Sequence, residues 1–294
     1  MNSGFYTALG TPVDQSGNLV SGSFKKHIED QIAAGASGLL VMGSMGIEPC
    51  IRESEYSLIA KEGARSVNGR CPVFIGAMDN SLSRVKDRIN SLAGAKIDGI
   101  VVTTPYYFVS TQEELIEFFT EIARFSPFPV YLYDLAVTTK VRINPETVEA
   151  LMKIENIKGI KTGDIITAKR LLLSPAKRDD FVIMFSGLDI FDIAYKYGLE
   201  MNLDGMFACT TSIAAKMYDS LKANNYEAAA KYLDQILGLR GEFIKAGVFR
   251  GFSYAMNLLG YEGIFAPDYA QKGINSSDSK YEGIKEYMKA LKLI

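Results

Sequence analysis

Two side chains at the ends of strand-like apolar runs carry the most useful chemistry in this sequence. In NIKGIKTGD, alternation with period two sends Ile157, Gly159 and Lys161 to one strand face and Lys158 to the other. A lysine on an apolar strand loses hydration, which favours the neutral amine that attacks a carbonyl to form an imine. A lysine at a strand end can equally run its stem along the surface and leave its head in water. Tyr133 closes the run PVYLYD on the same face as Tyr131. Its phenol can shuttle protons to a carbonyl or carbinolamine above a lysine, or it can simply fill a layer of the core. Gly43-Ser44-Met45-Gly46 is a glycine-rich strand-to-helix turn whose backbone N–H groups can hold a small carboxylate.

Residue counts narrow the alternatives. Histidine occurs once, as His27, so a relay of histidines or a His-rich metal site is excluded. Its neighbours Lys25, Lys26, Glu29 and Asp30 suggest a solvated surface position. Cys50, Cys71 and Cys209 form no Cys-x-x-Cys pair, and reduced, buried thiols are expected rather than a disulfide framework or zinc site. Chemistry must therefore come from Lys, Tyr, Ser/Thr or carboxylates.

The 294 residues are 48% hydrophobic and 22% charged, with a net charge of -2. That is a globular composition with no electrostatic footprint for nucleic acid. Mean hydropathy is +0.05, and no run approaches the roughly 18 apolar residues of a membrane span. The opening MNSGFYTALGTPVD carries neither a basic leader nor an apolar signal core, so a cytoplasmic protein is expected.

The elements that must position these groups repeat along the chain. Eight apolar runs begin at Gly4, Ser37, Pro72, Asp98, Pro129, Ile157, Phe181 and Leu203, about 30 residues apart, as strand-plus-helix units are. Amphipathic stretches lie between them. Thr111 with Glu114 reads as a capping box, and Asn144-Pro145 opens a helix. Ala-Gly-Ala recurs at 34–36 and 93–95, each time before a strand, as a helix C-terminal glycine would. No Gly-x-Gly-x-x-Gly follows the first strand, which argues against a dinucleotide-binding sheet. The expected fold is α/β: a (β/α)8 TIM barrel over residues 1–224 with a C-terminal helical extension, 225–294, packed on it as one structural unit. In such barrels the active site lies at the C-terminal strand ends. Those ends carry Thr11-Pro12, Gly43 to Met45, Thr103 to Tyr107, Tyr133-Asp134, Lys161, Ser186-Gly187 with Asp189, and Cys209-Thr210.

Taken in order, these positions resemble the family of dihydrodipicolinate synthases and N-acetylneuraminate lyases, class I aldolases that work through a Schiff base. Gly43-Ser44-Met45-Gly46 is similar to that family's Gly-Thr/Ser-Thr-Gly loop, Thr104-Pro105-Tyr106-Tyr107 to its Thr-Pro-Tyr-Tyr element, and Tyr133-Asp134 to its Tyr-Asn strand end. Gly159-Ile160-Lys161 stands at the Gly-x-Lys of the imine lysine, while Ser186-Gly187 and Gly205 fit the later strand ends. The resemblance implies that Lys161 condenses with pyruvate or a related 2-oxo acid and that Tyr133 relays protons. It implies that Ser44 links Tyr133 to a Tyr107 arriving from a neighbouring subunit of a homotetramer, a dimer of dimers. The backbone at Gly43, Ser44 and Met45 would grip the carboxylate. The protonated imine is itself the electron sink, so neither metal nor organic cofactor is expected.

The departures bear on substrate. Met45 removes the second hydroxyl of the carboxylate loop, and Ile47 replaces a usual glutamate, with Glu48 next to it. Thr138 stands where the synthases place an arginine for the aldehyde's carboxylate; losing that pair costs about 1.5–3 kcal/mol. Lys140 and Arg142 lie near in sequence. Gly187 and Asp189 are expected at the substrate, Asp189 alone keeping half of the later acidic pair of the sialic-acid lyases with Ile190 beside it, and Phe207 is expected to reshape the 2-oxo acid pocket. The reading is a lyase or aldolase joining or cleaving a 2-oxo acid and an aldehyde. Its alternatives are a true dihydrodipicolinate synthase and a non-catalytic barrel that binds a 2-oxo acid.

Overall fold

The computed structural model describes residues 1–274 and 278–294. Eight parallel strands close a barrel in sequence order: β1 Gly4–Ala8, β2 Gly38–Val41, β3 Val73–Gly76, β4 Gly99–Thr103, β5 Val130–Asp134, β6 Ile157–Thr162, β7 Val182–Phe185 and β8 Met201–Asp204, with β8 returning to β1. The principal helices between them are α1 Ser21–Ala33, α2 Glu53–Val67, α3 Leu82–Ser91, α4 Gln112–Phe125, α5 Ala136–Thr139, α6 Pro145–Leu151, α7 Ile165–Leu173 and α8 Phe191–Lys196. After β8 come α9 Phe207–Lys222, α10 Tyr226–Ala246, α11 Val248–Leu258 and α12 Glu282–Ala290.

Strand alternation sorts the side chains into two cores. Tyr6, Leu40, Phe74, Val101, Tyr131, Tyr133, Met184 and Leu203 fill the barrel. Their neighbours Leu39, Val41, Ile100, Val102, Leu132 and Ile160 pack outward under the helices. Glycines make room for the interior rings: a Cβ on Gly99 or Gly159 would run into the Tyr131 ring. The helix ends follow their local chemistry. Thr111 and Glu114 form the reciprocal capping box of α4, Pro145 sits in the first turn of α6, and Gly35 and Gly94 take positive φ after α1 and α3. Asn225 caps α10 through the Ala228 N–H, and α10 lies against α9 and α11.

Four expectations are corrected. Ile157 does not share a face with Lys161. Val130 pairs with Ile157 but Tyr131 pairs with Gly159, so the register slips at Lys158 and Ile157 joins the outer core. The eighth strand begins at Met201, and Phe207 to Cys209, expected within it, open α9. Polar Asn202 and Asp204 had disguised the true strand. Cys50 is exposed and Cys71 half-buried; only Cys209 is buried.

His27 is not at the surface. Its neighbours are charged, but Phe24, His27, Ile28 and Gln31 form the inward stripe of α1, and His27 is 0% exposed. Its ring meets the Tyr261 ring edge-on at 5.0 Å, beneath the segment after α11. The Tyr261 hydroxyl donates to Asp30 at 2.8 Å, and Lys26 lies over the same ring. Burial, aided by Lys26 and opposed by Asp30, pulls the His27 pKa down to about 3 from its usual 6.5. The unfolded chain therefore binds a proton that the folded chain refuses between those values. The resulting stability is complete above pH 6.5 and falls as pH drops toward 3, by about 1.4 kcal/mol per unit. Chemical unfolding at pH 7.5 and 5.5 should show wild type losing about 1.4 kcal/mol more than His27→Leu; equal losses would place the acid sensitivity elsewhere.

Candidate active site

Tyr133 and Lys161 are paired across β5 and β6, and both point into the barrel at its C-terminal end. Lys161 is 6% exposed. Its Nζ donates to the Tyr133 hydroxyl at 2.6 Å and stands 3.8 Å from the centre of the same ring. The Ser44 hydroxyl lies 3.5 Å from that phenol, extending a line of exchangeable protons away from the amine. One residue further along, the strands are tied on their outer faces. The Thr162 hydroxyl donates to Asp134 Oδ2 at 2.9 Å, and the Ile143 N–H donates to Oδ1 at 3.2 Å. Burial pushes the Asp134 carboxyl above its usual range, and the two hydrogen bonds offset this in part.

Ser44 rides on a strained turn. Met42 and Ile47 both adopt left-handed backbone, at φ 53° and 52°. That is a costly conformation for β-branched Ile47. The result is that Glu48 turns fully inward, accepts from the Met78 N–H at 3.1 Å, and pairs with Arg88. Arg88 also donates to the Met78 carbonyl at 2.7 Å and reaches Asp79 at 3.0 Å. This buried ion group pins the turns after β2 and β3 together. Among the described residues, no protein group accepts from the Ser44 or Met45 N–H. Unpaired N–H groups of a turn are able to donate to an anion. The Met45 side chain lies against Gly205, where any Cβ would overlap it.

A cavity of about 260 Å³ surrounds the amine, lined by Ser44, Met45, Tyr133, Lys161, Asp204 and Gly205 from the barrel and by Arg240, Ile244 and Val248 from the tail. Asp204 Oδ1 accepts from the Met206 N–H at 2.7 Å. Burial raises its carboxyl, while Lys161 and Arg240 pull the other way. Arg240 forms a two-pronged pair with Asp189, one bond measuring 2.9 Å. A second cleft of similar size meets the first at Ser44 and is lined mainly by apolar groups, with Ile47, Met78, Tyr106, Leu135 and Phe249 among them. A larger groove, about 680 Å³, opens at the other end of the barrel beside Lys61, Arg65 and Lys96. It lies at the N-terminal strand ends, away from Lys161 and Tyr133, whereas the smaller cavity lies at the C-terminal ends, where barrels of this kind carry their active sites.

The expected site residues divide accordingly. Lys161, Tyr133, Ser44 and Met45 converge, with Gly43 at the start of their turn. Thr138 is exposed on α5 and faces the apolar cleft. Lys140 turns back onto the Val137 carbonyl and Arg142 onto Asp164. Gly187 packs on the Phe185 ring and the Gly163 carbonyl rather than lining the cavity. Asp189 meets the cavity only through Arg240. Phe207 does not reshape the pocket: it starts α9 and packs edge-on against Phe5 at 5.7 Å, outside the barrel. Met206 takes the lining position instead. Tyr107 faces outward, 77% exposed, with its ring against Phe108, and does not reach Ser44 within one chain. Asp204, Arg240, Ile244 and Val248 escaped the sequence reading. Arg240 and Ile244, four residues apart, share a face of α10, and Val248 opens α11 after the Gly247 turn, but nothing in the pattern tells which end of the barrel they cover. Among the described residues, no group of three His, Cys, Asp or Glu side chains is placed to hold a metal ion, and no helix is long and apolar enough to cross a membrane.

Comparison with known proteins gives one consistent family. The model of the dihydrodipicolinate synthetase family matches residues 1–284. A 4-hydroxy-tetrahydrodipicolinate synthase of Shigella dysenteriae is 29% identical over 242 residues, covering 81% of each chain. One from Rhodopseudomonas palustris is 28% identical over 261 residues, covering 87% of this chain and 86% of the relative. Among solved structures, a prophage protein of the dihydrodipicolinic acid synthase family from E. coli K12, in complex with pyruvate, superposes over 100% of both chains with TM-score 0.88 at 21% identity. The dihydrodipicolinate synthase of Thermotoga maritima does so with TM-score 0.88 at 23% identity.

The strand tie beside the reactive pair is open to test. Asp134→Ala leaves the buried Thr162 hydroxyl and Ile143 N–H without their acceptor, a loss of about 1–3 kcal/mol. Equilibrium unfolding should register it; an unchanged midpoint would show that Asp134 is not holding β5 to β6.

Proposed function

Because this chain belongs to the dihydrodipicolinate synthetase family, we propose that it is a lyase of the class I aldolase type, forming a Schiff base between Lys161 and pyruvate or a related 2-oxo acid. The observation that carries this reading is the buried Lys161 amine in hydrogen-bond contact with the Tyr133 phenol, at the C-terminal ends of the barrel strands.

The neutral amine adds to the 2-oxo carbon, and Tyr133 returns a proton to the oxygen that leaves as water. The carboxylate of the 2-oxo acid takes the free N–H groups of Ser44 and Met45. The iminium draws electrons from C3, which loses a proton to give an enamine. The enamine carbon then attacks the aldehyde carbon, and the aldehyde oxygen takes up a proton. Water hydrolyses the imine and frees Lys161; the reverse sequence cleaves the same bond. Outward-facing Tyr107, Phe108 and Val109, each more than three-quarters exposed, support a homotetramer in which Tyr107 of the partner subunit reaches Ser44 and lengthens the proton path. The three unpaired thiols support a cytoplasmic location.

A second reading, 4-hydroxy-tetrahydrodipicolinate synthase itself, is favoured by the activity of the named relatives, while Thr138 in place of a cation speaks against it. Borohydride reduction in the presence of pyruvate, followed by intact mass and peptide mapping, should yield one adduct, on Lys161. Lys161→Ala should give none, and Tyr133→Phe should form it about a hundredfold more slowly or worse. An adduct elsewhere, or none with any 2-oxo acid, would refute the imine mechanism. Coupled assays with aspartate semialdehyde, N-acetylneuraminate and sugar acids then separate the lyase activities.

A further inference from the structure

We infer that Arg240, on the tail helix α10, is the residue that receives the acid group of an anionic aldehyde, in exchange for its intramolecular partner Asp189. This rests on the imine reading of Lys161 and adds the chemical class of its second substrate.

Two cationic side chains line the cavity, Lys161 and Arg240. Lys161 is committed to the 2-oxo acid, which leaves Arg240 as the permanent charge for anything that approaches the enamine. The nearby cations of the α5 region are turned away: Lys140 lies on a backbone carbonyl and Arg142 on Asp164. Thr138 opens onto a cleft whose lining carries no cation. An acid group on the aldehyde is therefore received from the tail side of the cavity.

Arg240 is built for that exchange. Its planar fork already holds a carboxylate two-pronged, the geometry that also fits an incoming carboxylate or phosphate. The Asp189 side chain is 64% exposed against 32% for Arg240, so the aspartate is on the water side of the pair. Exposed ion pairs contribute little net free energy, and a displaced Asp189 is rehydrated at once. Ile244, one helical turn on from Arg240, also lines the cavity, so the guanidinium rises from an apolar wall where its charge is less screened than in bulk water. Asp189 thus competes with the substrate's acid group for one guanidinium.

That competition gives the two residues opposite signs, which a merely structural clasp would not. The test measures pyruvate-dependent condensation with two matched pairs, glyceraldehyde against glyceraldehyde 3-phosphate and butanal against succinic semialdehyde. Wild type should favour the anionic member of at least one pair by tenfold or more in kcat/KM, and which pair responds separates phosphate from carboxylate. Arg240→Gln should lower the anionic-to-neutral ratio about tenfold to a hundredfold, and Arg240→Lys should lie between. Asp189→Asn should raise the ratio severalfold. Each ratio is taken within one variant, so partial loss of folded enzyme cancels. An unchanged ratio in both Arg240 variants, a fall in Asp189→Asn matching that in Arg240→Gln, or no anionic preference in wild type would overturn the inference. If any of these results appears while borohydride still traps pyruvate on Lys161 of the wild type, the assignment of Arg240 fails alone. If no adduct forms, the imine reading fails and takes this one with it.

Discussion

The contact between the Lys161 amine and the Tyr133 phenol depends on the register of two strands, and much of the surrounding structure serves to hold that register. Neighbouring parallel strands put paired residues side by side on one face, so a slip of one residue would send Lys161 into the helical layer. The irregularity at Lys158 absorbs a residue before the reactive end and leaves Gly159 to Thr162 in step with Tyr131 to Asp134. Beyond it, the Asp134–Thr162 hydrogen bond joins the outward side chains next to the pair. Below it, Gly159 makes way for the Tyr131 ring within the barrel core.

The walls have a different origin. The turn after β2 presents free N–H groups because Ile47 is held in left-handed backbone, and the buried Glu48–Arg88–Asp79 group secures that turn. A buried ion group is a modest source of net stability but a strong constraint on geometry, since removing one partner strands the others. The opposite wall belongs to α10 and α11, which come from the tail and not from the repeating unit. A site completed in this way separates its duties. The barrel carries the proposed nucleophile and proton path, and the extension lines the cavity around them.

Much of this architecture was legible in the amino-acid pattern, for a physical reason. Barrel strands repeat at near-constant intervals with an apolar outer face, so their number and the position of Lys161 and Tyr133 at strand ends follow from periodicity. The misreadings have equally physical causes. Asn202 and Asp204 give β8 a polar look, so the apolar start of α9 reads as strand and Phe207 as a pocket residue. His27 lies on the buried stripe of α1, yet the charges on either side of it pointed outward. The Lys158 irregularity inserts a residue without a composition signal. Arg240 is a long-range contact, set by how the tail docks, and no local pattern encodes which barrel end a docked helix will face.

The proposed imine on Lys161, with its carboxylate held by the turn at Ser44 and Met45, would be visible in a crystal. A crystal structure of the protein soaked with pyruvate tests this most directly. The density should run unbroken from Lys161 Nζ to the 2-oxo carbon, with the carboxylate on the two backbone N–H groups and the Tyr133 hydroxyl beside the new bond. Pyruvate bound without that covalent link, or with its carboxylate turned away from the Ser44 turn, would contradict it.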